Sequence, residues 1–193
     1  MRFGQNCGRQ SGVTALLLVG ALALVNFGYT VPALASQDAV VLLGDGAGAA
    51  RFGQSEAMAI KELDQALASP KRVVVNMAGN CTIDRAAQWP TFTAYFDRDR
   101  FVGYSTLATD GKPLRRAQMM TATGLRVGDT LAKARQIYGD TLSTTPAQGG
   151  AWFAKTAAGT LDGYLTAEVN SRVPTPRIAS IEAGRVGCPA ASP

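Results

Sequence analysis

Residues 51–59, RFGQSEAMA, and residues 126–134, RVGDTLAKA, align without a gap, and this match decides the predicted fold. An arginine, a glycine and two alanines coincide, and Ser55 in the first stretch stands where Thr130 stands in the second. A hydroxyl side chain directly before an apolar periodic run is typical of a helix N-cap. The match therefore predicts that a helix begins at the same place in each stretch.

The helices are predicted over Ala57–Ala68 and Leu131–Tyr138. Their apolar residues recur at helical spacing, which indicates one buried face on each. The side chains expected to face the core are Ile60, Leu63, Leu67, Leu131 and Ile137. Gly53 and Gly128 are expected to turn the chain into each helix, at a point where a Cβ atom would be costly.

Strand-like segments rich in β-branched and aromatic residues surround both helices. They are Ala39–Leu43, Lys71–Met77, Thr91–Phe96 and Arg100–Leu107, with a further segment in Pro113–Thr121, and then Ala151–Lys155, Gly163–Val169 and Arg177–Ala183. We predict an α+β protein in which residues 36–121 and 122–193 are two helix-on-antiparallel-sheet repeats of one compact domain. Chance similarity, in a chain rich in Ala and Gly, is the alternative to a duplication.

The N-terminal 35 residues have the composition of a secretory signal peptide. Arg2 and Arg9 precede an apolar run over residues 13–25, and Ala-Leu-Ala closes the segment at residues 33–35. This order of basic, apolar and small residues predicts export, with cleavage after Ala35 and a secreted or cell-envelope location. An uncleaved N-terminal anchor is the alternative, and it is the sole membrane contact that we expect.

Two cysteines, Cys81 and Cys188, remain after the signal, which itself carries Cys7. An even number in an exported chain favours a disulfide. Closing a loop of roughly 100 residues is worth about 4–5 kcal/mol in the chain-entropy model. The alternatives are two free thiols or a metal site, and a metal site would need further ligands in a chain that has no histidine.

Charge does not favour nucleic acid as a partner. The net charge is +5, and it falls to +3 in the mature chain because Arg2 and Arg9 leave with the signal and no acidic residue does. The basic residues are also spread along the chain instead of forming a stripe.

Catalysis is not favoured either. With no histidine, the usual general base and the Ser-His and Cys-His pairs are missing. Two carboxylate pairs, Asp97 with Asp99 and Glu62 with Asp64, have the spacing of solvated residues, and neighbouring arginines favour ionised carboxylates at the first pair. We therefore expect no catalytic residue and no metal site.

The glycine-rich loop at residues 44–49, GDGAGA, has the G-x-G-x-x-A form of a dinucleotide-binding turn. A dinucleotide fingerprint requires the helix to begin at the loop itself. Here the predicted cap, Ser55, comes several residues later, so we expect a glycine turn and no cofactor.

Aromatic residues gather in one predicted hairpin region. Because alternate strand residues share a face, Tyr95 and Tyr104 are predicted to lie on one face, which we interpret together with Trp89 as a partner-binding surface. The alternative places these rings in the core, with their polar atoms hydrogen-bonded.

The segments GDGAGAARFGQSEAMAIKEL (44–63), FVGYS (101–105) and TGLRVGDTLAKARQIYGD (123–140) resemble a family of exported, uncharacterised proteins of high-GC Gram-positive bacteria. The chain departs from that pattern at Ala47, where a leucine is usual. The resemblance implies no established activity. The repeat is also distantly similar to those of the β-lactamase-inhibitor protein and of outer-membrane assembly lipoproteins of the BamE type. That second resemblance implies helices packed on an antiparallel sheet and a binding role.

Taken together, the residues predict a secreted, non-catalytic binding or structural protein of the cell envelope or extracellular space. Its partner is expected to be a protein or an envelope component of unknown identity. The alternatives are an exported hydrolase that works through carboxylates and a carrier of a small molecule or lipid.

Overall fold

Two helices lie within the residues that the computed structural model describes, which are 39–67, 73–77, 82–107, 119–146, 150–166 and 175–187. Helix α1 runs over Glu56–Ala66 and helix α2 over Leu131–Tyr138, followed by a 3-10 turn at Gly139–Thr141. The signal segment and both Cys81 and Cys188 lie outside the described residues, so the cleavage and the disulfide stay predictions. In the part described, neither helix is long and apolar enough to cross a membrane.

The strands form two sheets. The smaller contains β1 (Val40–Leu43), β2 (Gly46–Ala47), β3 (Ala50–Arg51) and β8 (Met119–Thr121), in the order β3-β2-β1-β8. The strands of the larger are β4 (Val73–Asn76), β5 (Arg85–Trp89), β6 (Phe92–Asp97), β7 (Arg100–Leu107), β9 (Leu142–Thr145), β10 (Ala151–Thr156), β11 (Gly159–Tyr164) and β12 (Ser180–Gly184).

The larger sheet is antiparallel throughout and has the order β4-β5-β6-β7-β12-β11-β10-β9. Four strands that follow α1 form one half of it, and four that follow α2 form the other. Strands β7 and β12 pair at the centre and join the halves. The prediction of a mixed helix-and-sheet domain is confirmed, with more strand than expected.

One cluster of buried side chains joins both helices, the smaller sheet and one face of the larger sheet. Trp152, Tyr104, Phe92, Phe96 and Leu63 are among its fully buried members. Each large apolar side chain removed from water stabilises the fold by roughly 1.5–3 kcal/mol. The opposite face of the larger sheet, which we call the outer face, carries the alternate residues of the same strands.

Both helices begin at the predicted caps. The Ser55 Oγ atom accepts a hydrogen bond from Met58 N at 3.4 Å, and the Thr130 Oγ1 atom accepts one from Lys133 N at 3.2 Å. Helix α1 ends two residues earlier than predicted, at Ala66. Boundaries of this kind depend on where the last turn stops bonding, which periodicity does not encode.

The two helix entries have matching backbone bonds to the larger sheet. Gly53 N donates to Phe101 O at 2.8 Å, and Gly128 N donates to Ile178 O at 2.8 Å. Both glycines have positive φ, 89° and 90°, which confirms that the chain turns there in the left-handed region. The guanidinium groups that donate to the carbonyl oxygens of these glycines also correspond, and they are Arg100 and Arg177.

The first residue of each helix is tied to the sheet in the same way. Glu56 N donates to Asp99 O at 2.9 Å, and Leu131 N donates to Pro176 O at 2.9 Å. A glutamate in one half therefore occupies the backbone position that a leucine occupies in the other.

Each half contains one strand that the pattern of residues did not predict. Arg85–Trp89 lies outside the predicted strand-like segments, yet it forms β5 at the interior of the sheet. Leu142–Thr145 also lies outside them and forms the edge strand β9. The sequence of β5, RAAQW, has low strand propensity, which sheet pairing overrides.

Candidate functional site

The prediction of an exposed partner-binding surface made of Trp89, Tyr95 and Tyr104 is wrong. Trp89 is 5% exposed and Tyr104 is fully buried, and both belong to the core cluster. Tyr95 is half-buried on the outer face, where its hydroxyl lies 3.2 Å from Ser105 Oγ. The three side chains therefore do not form one exposed surface.

A β-bulge explains why the alternation failed. Phe96 pairs with Phe101 and Tyr95 pairs with Gly103, so Val102 is an extra residue in β7. Beyond the bulge the side chains change face, and Tyr104 turns into the core.

Tyr104 is held in the core by both its ring and its hydroxyl. The ring stacks on Phe92, with centroids 5.4 Å apart, and the hydroxyl donates to Leu43 O at 3.0 Å. Burial raises the pKa of Tyr104 above its usual value. The alternative from the sequence, a core ring with a bonded hydroxyl, applies to this residue.

A cleft of about 670 Å³ lies beside the N-terminal turns of α1, and we call it the α1 cleft. Five of its lining side chains are charged, and the remainder are small or apolar. The lining residues are Ser55, Glu56, Ala57, Ile60, Lys61, Asp64, Arg85 and Asp99. Helix α1 and its N-cap contribute six of them, and β5 and the β6–β7 turn contribute one each.

An ion pair between helix and sheet forms the inner wall of the α1 cleft. The Glu56 Oε1 atom lies 3.0 Å from Arg85 Nη2, and Glu56 is only 8% exposed. The second carboxylate oxygen, Glu56 Oε2, and the guanidinium Nε of Arg85 are both buried and make no hydrogen bond to any residue that the structure describes. A buried polar atom without a partner costs about 1–3 kcal/mol, and this cost offsets what the ion pair contributes to stability.

The corresponding position in the other half of the molecule holds an apolar residue. Leu131, at the position that corresponds to Glu56, is 4% exposed and packs in the core cluster. The same backbone geometry is thus compatible with an apolar side chain.

The remaining charged groups of the α1 cleft have different surroundings. Asp64 Oδ1 accepts a hydrogen bond from Trp89 Nε1 at 3.0 Å, which fixes it against the sheet. Lys61 and Asp99 are exposed. The Oε2 atom of Glu62 is also unpaired, but this residue is only half-buried and does not line the cleft.

The carboxylate pairs considered from the sequence do not act as pairs. Glu62 lies outside the α1 cleft, whereas Asp64 lines it. Asp97 binds Arg185 at 2.6 Å, and this hydrogen bond holds the pKa of Asp97 below its usual value. Asp99 occupies the β6–β7 turn with a φ of 58° and lines the cleft.

The glycine-rich loop does not lead into a helix. Gly46 and Ala47 form β2, and the chain continues into β3 before α1 begins. This geometry is not that of a dinucleotide-binding turn, in which the helix starts at the loop.

Two acidic side chains that the sequence did not single out face each other on the outer face. Asp162 of β11 pairs directly with Glu182 of β12, so their Cβ atoms are roughly 4.5–5.5 Å apart. Burial raises the pKa of both carboxyls, and the charge of Asp162 raises that of Glu182 further. Neither residue belongs to a motif, and the strand that carries Asp162 was predicted some residues too late.

Removing one of these facing charges is expected to stabilise the protein at neutral pH. Because the folded-state pKa of each carboxyl is raised, the folded state binds protons more strongly, and stability falls as pH rises from about 4 through the folded pKa. Asp162→Asn should raise the free energy of unfolding by roughly 0.5–1 kcal/mol at pH 7. The gain should disappear near pH 3 in urea titrations, and the exposed control Asp140→Asn should show neither effect. An equal gain in the free energy of unfolding at pH 7 and pH 3 would contradict the repulsion between Asp162 and Glu182.

Comparison with known proteins does not show to which family the chain belongs. No protein-family model matches it, and no curated protein matches it. A crystal structure of the uncharacterised protein YfeY from Escherichia coli is similar to 76% of this chain and to 98% of that chain, with 11% identity and a TM-score of 0.44. Within the described ranges, no three His, Cys, Asp or Glu side chains gather as a metal site would require.

Proposed function

We propose that this chain is an exported, non-catalytic binding module whose ligand occupies the α1 cleft. The observation that carries the proposal is Glu56, a carboxylate buried with one oxygen unpaired, where the corresponding residue of the other half is Leu131. A group that lowers stability and that the fold does not require is expected at a functional site.

The energies support a role in binding over a role in folding. A glutamate in the first turn gains about 0.3–1 kcal/mol from the helix dipole. The unpaired oxygen of Glu56 costs about 1–3 kcal/mol, and Arg85 Nε adds a similar cost. The Arg85 side chain is 40% exposed, so the ion pair is only partly buried and contributes little to stability.

A duplication is part of the proposal, with residues 36–121 and 122–193 as the two copies. The matching caps, positive-φ glycines and backbone bonds at the two helix entries support it. So does the succession of one helix and four antiparallel strands in each half. In this proposal, the helix of the second copy begins with an apolar residue, Leu131, while that of the first copy begins with Glu56 and borders the α1 cleft.

A non-catalytic role is supported by the way the carboxylates of the cleft are held. Glu56 is bound by Arg85, and Asp64 is bound by the Trp89 indole. The five charged side chains of the lining do not favour a lipid, so the carrier is the weaker alternative.

The hydrolase alternative rests on one specific observation, the facing carboxyls of Asp162 and Glu182, both with raised pKa. Such pairs supply a proton donor and a base in glycosidases. If this alternative holds, hydrolysis of an oligosaccharide by the purified protein will be abolished by Asp162→Asn.

Capture of envelope material tests the binding proposal. We expect the immobilised mature protein to retain at least one component of a cell-envelope extract, and the double variant Glu56→Leu/Arg85→Met to lose it. The control Glu62→Leu/Lys133→Met also removes one acid and one base, from positions outside the cleft, and should retain it. Equal capture by the cleft double variant and by the control double variant would contradict the proposal.

Export and the disulfide are proposed on the sequence alone. Non-reducing mass spectrometry of the secreted protein should find Ser36 as the first residue, and should find the Cys81 and Cys188 peptides linked. Full-length chain in the membrane fraction would instead indicate an anchor, and free thiols would exclude the disulfide.

A further inference from the structure

We infer that strand β4 is an interface at which a second copy of this chain pairs antiparallel, so that the larger sheets of the two copies join. This inference does not depend on the α1 cleft. Its basis is the place of β4 (Val73–Asn76) at one end of the larger sheet, where it pairs with β5 alone among the strands that the structure describes.

The hydrogen-bond pattern shows which backbone groups of β4 point outward. Met77 N donates to Asp84 O at 2.8 Å, and this bond continues the register between β4 and β5. In an antiparallel pair, residues bonded in this way alternate with residues whose N–H and C=O groups point away from the partner. Val75 therefore bonds to β5, whereas the backbone groups of Val74 and Asn76 point to the open edge. The Val74 side chain is also 40% exposed.

The two edges of the larger sheet differ in protection against strand addition, which proline and charged residues provide. Leu165 N donates to Gly150 O, and this bond fixes the alternation across β10. The outward positions of the other edge strand, β9, are consequently Leu142 and Thr144. The next outward position, Pro146, has no N–H to donate. Strand β4, VVVN, contains neither proline nor a charged residue, so it is the edge open to pairing.

The outward groups of β4 are complementary to those of a second copy. With a two-fold axis at Val75, Val74 of each copy lies opposite Asn76 of the other, and the outward N–H and C=O groups of both residues are paired. Such a dimer is closed, because each copy uses the same strand. Pairing of β4 with β9 would instead continue from copy to copy without end.

Charge favours the antiparallel orientation. Lys71 and Arg72 directly precede β4 in the chain, and the exposed Asp84 lies beside its other end, where it bonds Met77. An antiparallel copy brings the basic residues of one strand toward Asp84 of the other. A parallel copy would align the basic residues with each other, and like charges opposite one another are destabilising.

Sedimentation velocity of the mature protein tests the inference. Because one short strand from each copy buries less than the roughly 1,200 Å² of a stable complex, we expect a reversible dimer with a Kd on the order of 10–100 µM. Val74→Pro removes an outward N–H but no bond to β5, so it should weaken the dimer at least about tenfold. The matched control Thr144→Pro removes an outward N–H from β9 and should leave the Kd unchanged. Circular dichroism checks that each variant is folded.

A second variant, Val74→Lys, keeps the backbone donor and places a charge at the edge, and it should also weaken the dimer. Amide hydrogen exchange then locates the interface. The N–H groups of Val74 and Asn76 should exchange at least about tenfold more slowly when the protein is concentrated, and that of Thr144 should not change.

Three results would overturn the inference. One is a monomer at every concentration up to about 500 µM, well above the expected Kd. Another is a dimer that both Val74 variants leave intact. The third is a monomer in which the Val74 and Asn76 amides become protected only when envelope extract is added, because β4 would then bind a strand of another protein.

Discussion

Replacing Tyr104 by alanine is expected to lower the free energy of unfolding by about 3–5 kcal/mol, as for other large-to-small changes in a packed core. The side chain is fully buried, its ring stacks on Phe92, and its hydroxyl donates to Leu43 O. The change would leave a cavity and remove the hydrogen bond to Leu43 O. Urea denaturation followed by circular dichroism measures the loss.

Tyr95→Ala is the matched control. Tyr95 is half-buried on the outer face and bonds only a serine hydroxyl among the described residues, so its loss should cost about 1 kcal/mol. Similar unfolding midpoints for the two variants would place Tyr104 at the surface and contradict the bulge at Val102.

Replacing Gly103 by alanine is expected to cost about 3 kcal/mol or more. An added Cβ atom would collide with the carbonyl oxygen and backbone of Arg185, which crosses this point of β7 to bond Val102 O. The colliding atoms of Arg185 belong to the backbone and not to a flexible side chain, so the two chain segments would have to separate.

Gly124→Ala provides the comparison. Gly124 has a φ of 86° but nothing within 4 Å of an added Cβ atom, so its replacement should cost only about 1 kcal/mol of backbone strain. If Gly124→Ala lowers the midpoint of thermal unfolding more than Gly103→Ala does, the backbone of Arg185 does not approach β7 as closely as described.

Local features of the fold could be read from the sequence because they depend on a few adjacent residues. The caps Ser55 and Thr130 and the turning glycines Gly53 and Gly128 lie where they were predicted. The hairpin of β6 and β7 was also found, since its residues have high strand propensity.

The features that were missed depend on contacts between distant segments. Strand β5 is held by pairing on both sides, although its sequence is RAAQW. The bulge at Val102 leaves no mark in the alternation of residues, and it alone reverses the face on which Tyr104 lies. Register in a sheet is set by such pairings, which local sequence does not specify.

The candidate site was missed for the same reason. Glu56 and Arg85 meet only because β5 passes beside α1, and neither residue belongs to a motif. One signal was available, since the alignment of the two stretches sets Glu56 against Leu131 at the first residue of each helix. A charged residue aligned with a buried apolar one marks a position where the two halves differ in environment.

Stability and capture measured on the same preparation of Glu56→Leu/Arg85→Met test the central claim most directly. If the ion pair exists for a ligand, the free energy of unfolding should stay within about 1 kcal/mol of the wild type or rise, while the captured envelope component is lost. A loss of several kcal/mol with capture unchanged would show that Glu56 and Arg85 hold the fold together and that the α1 cleft is not the binding site.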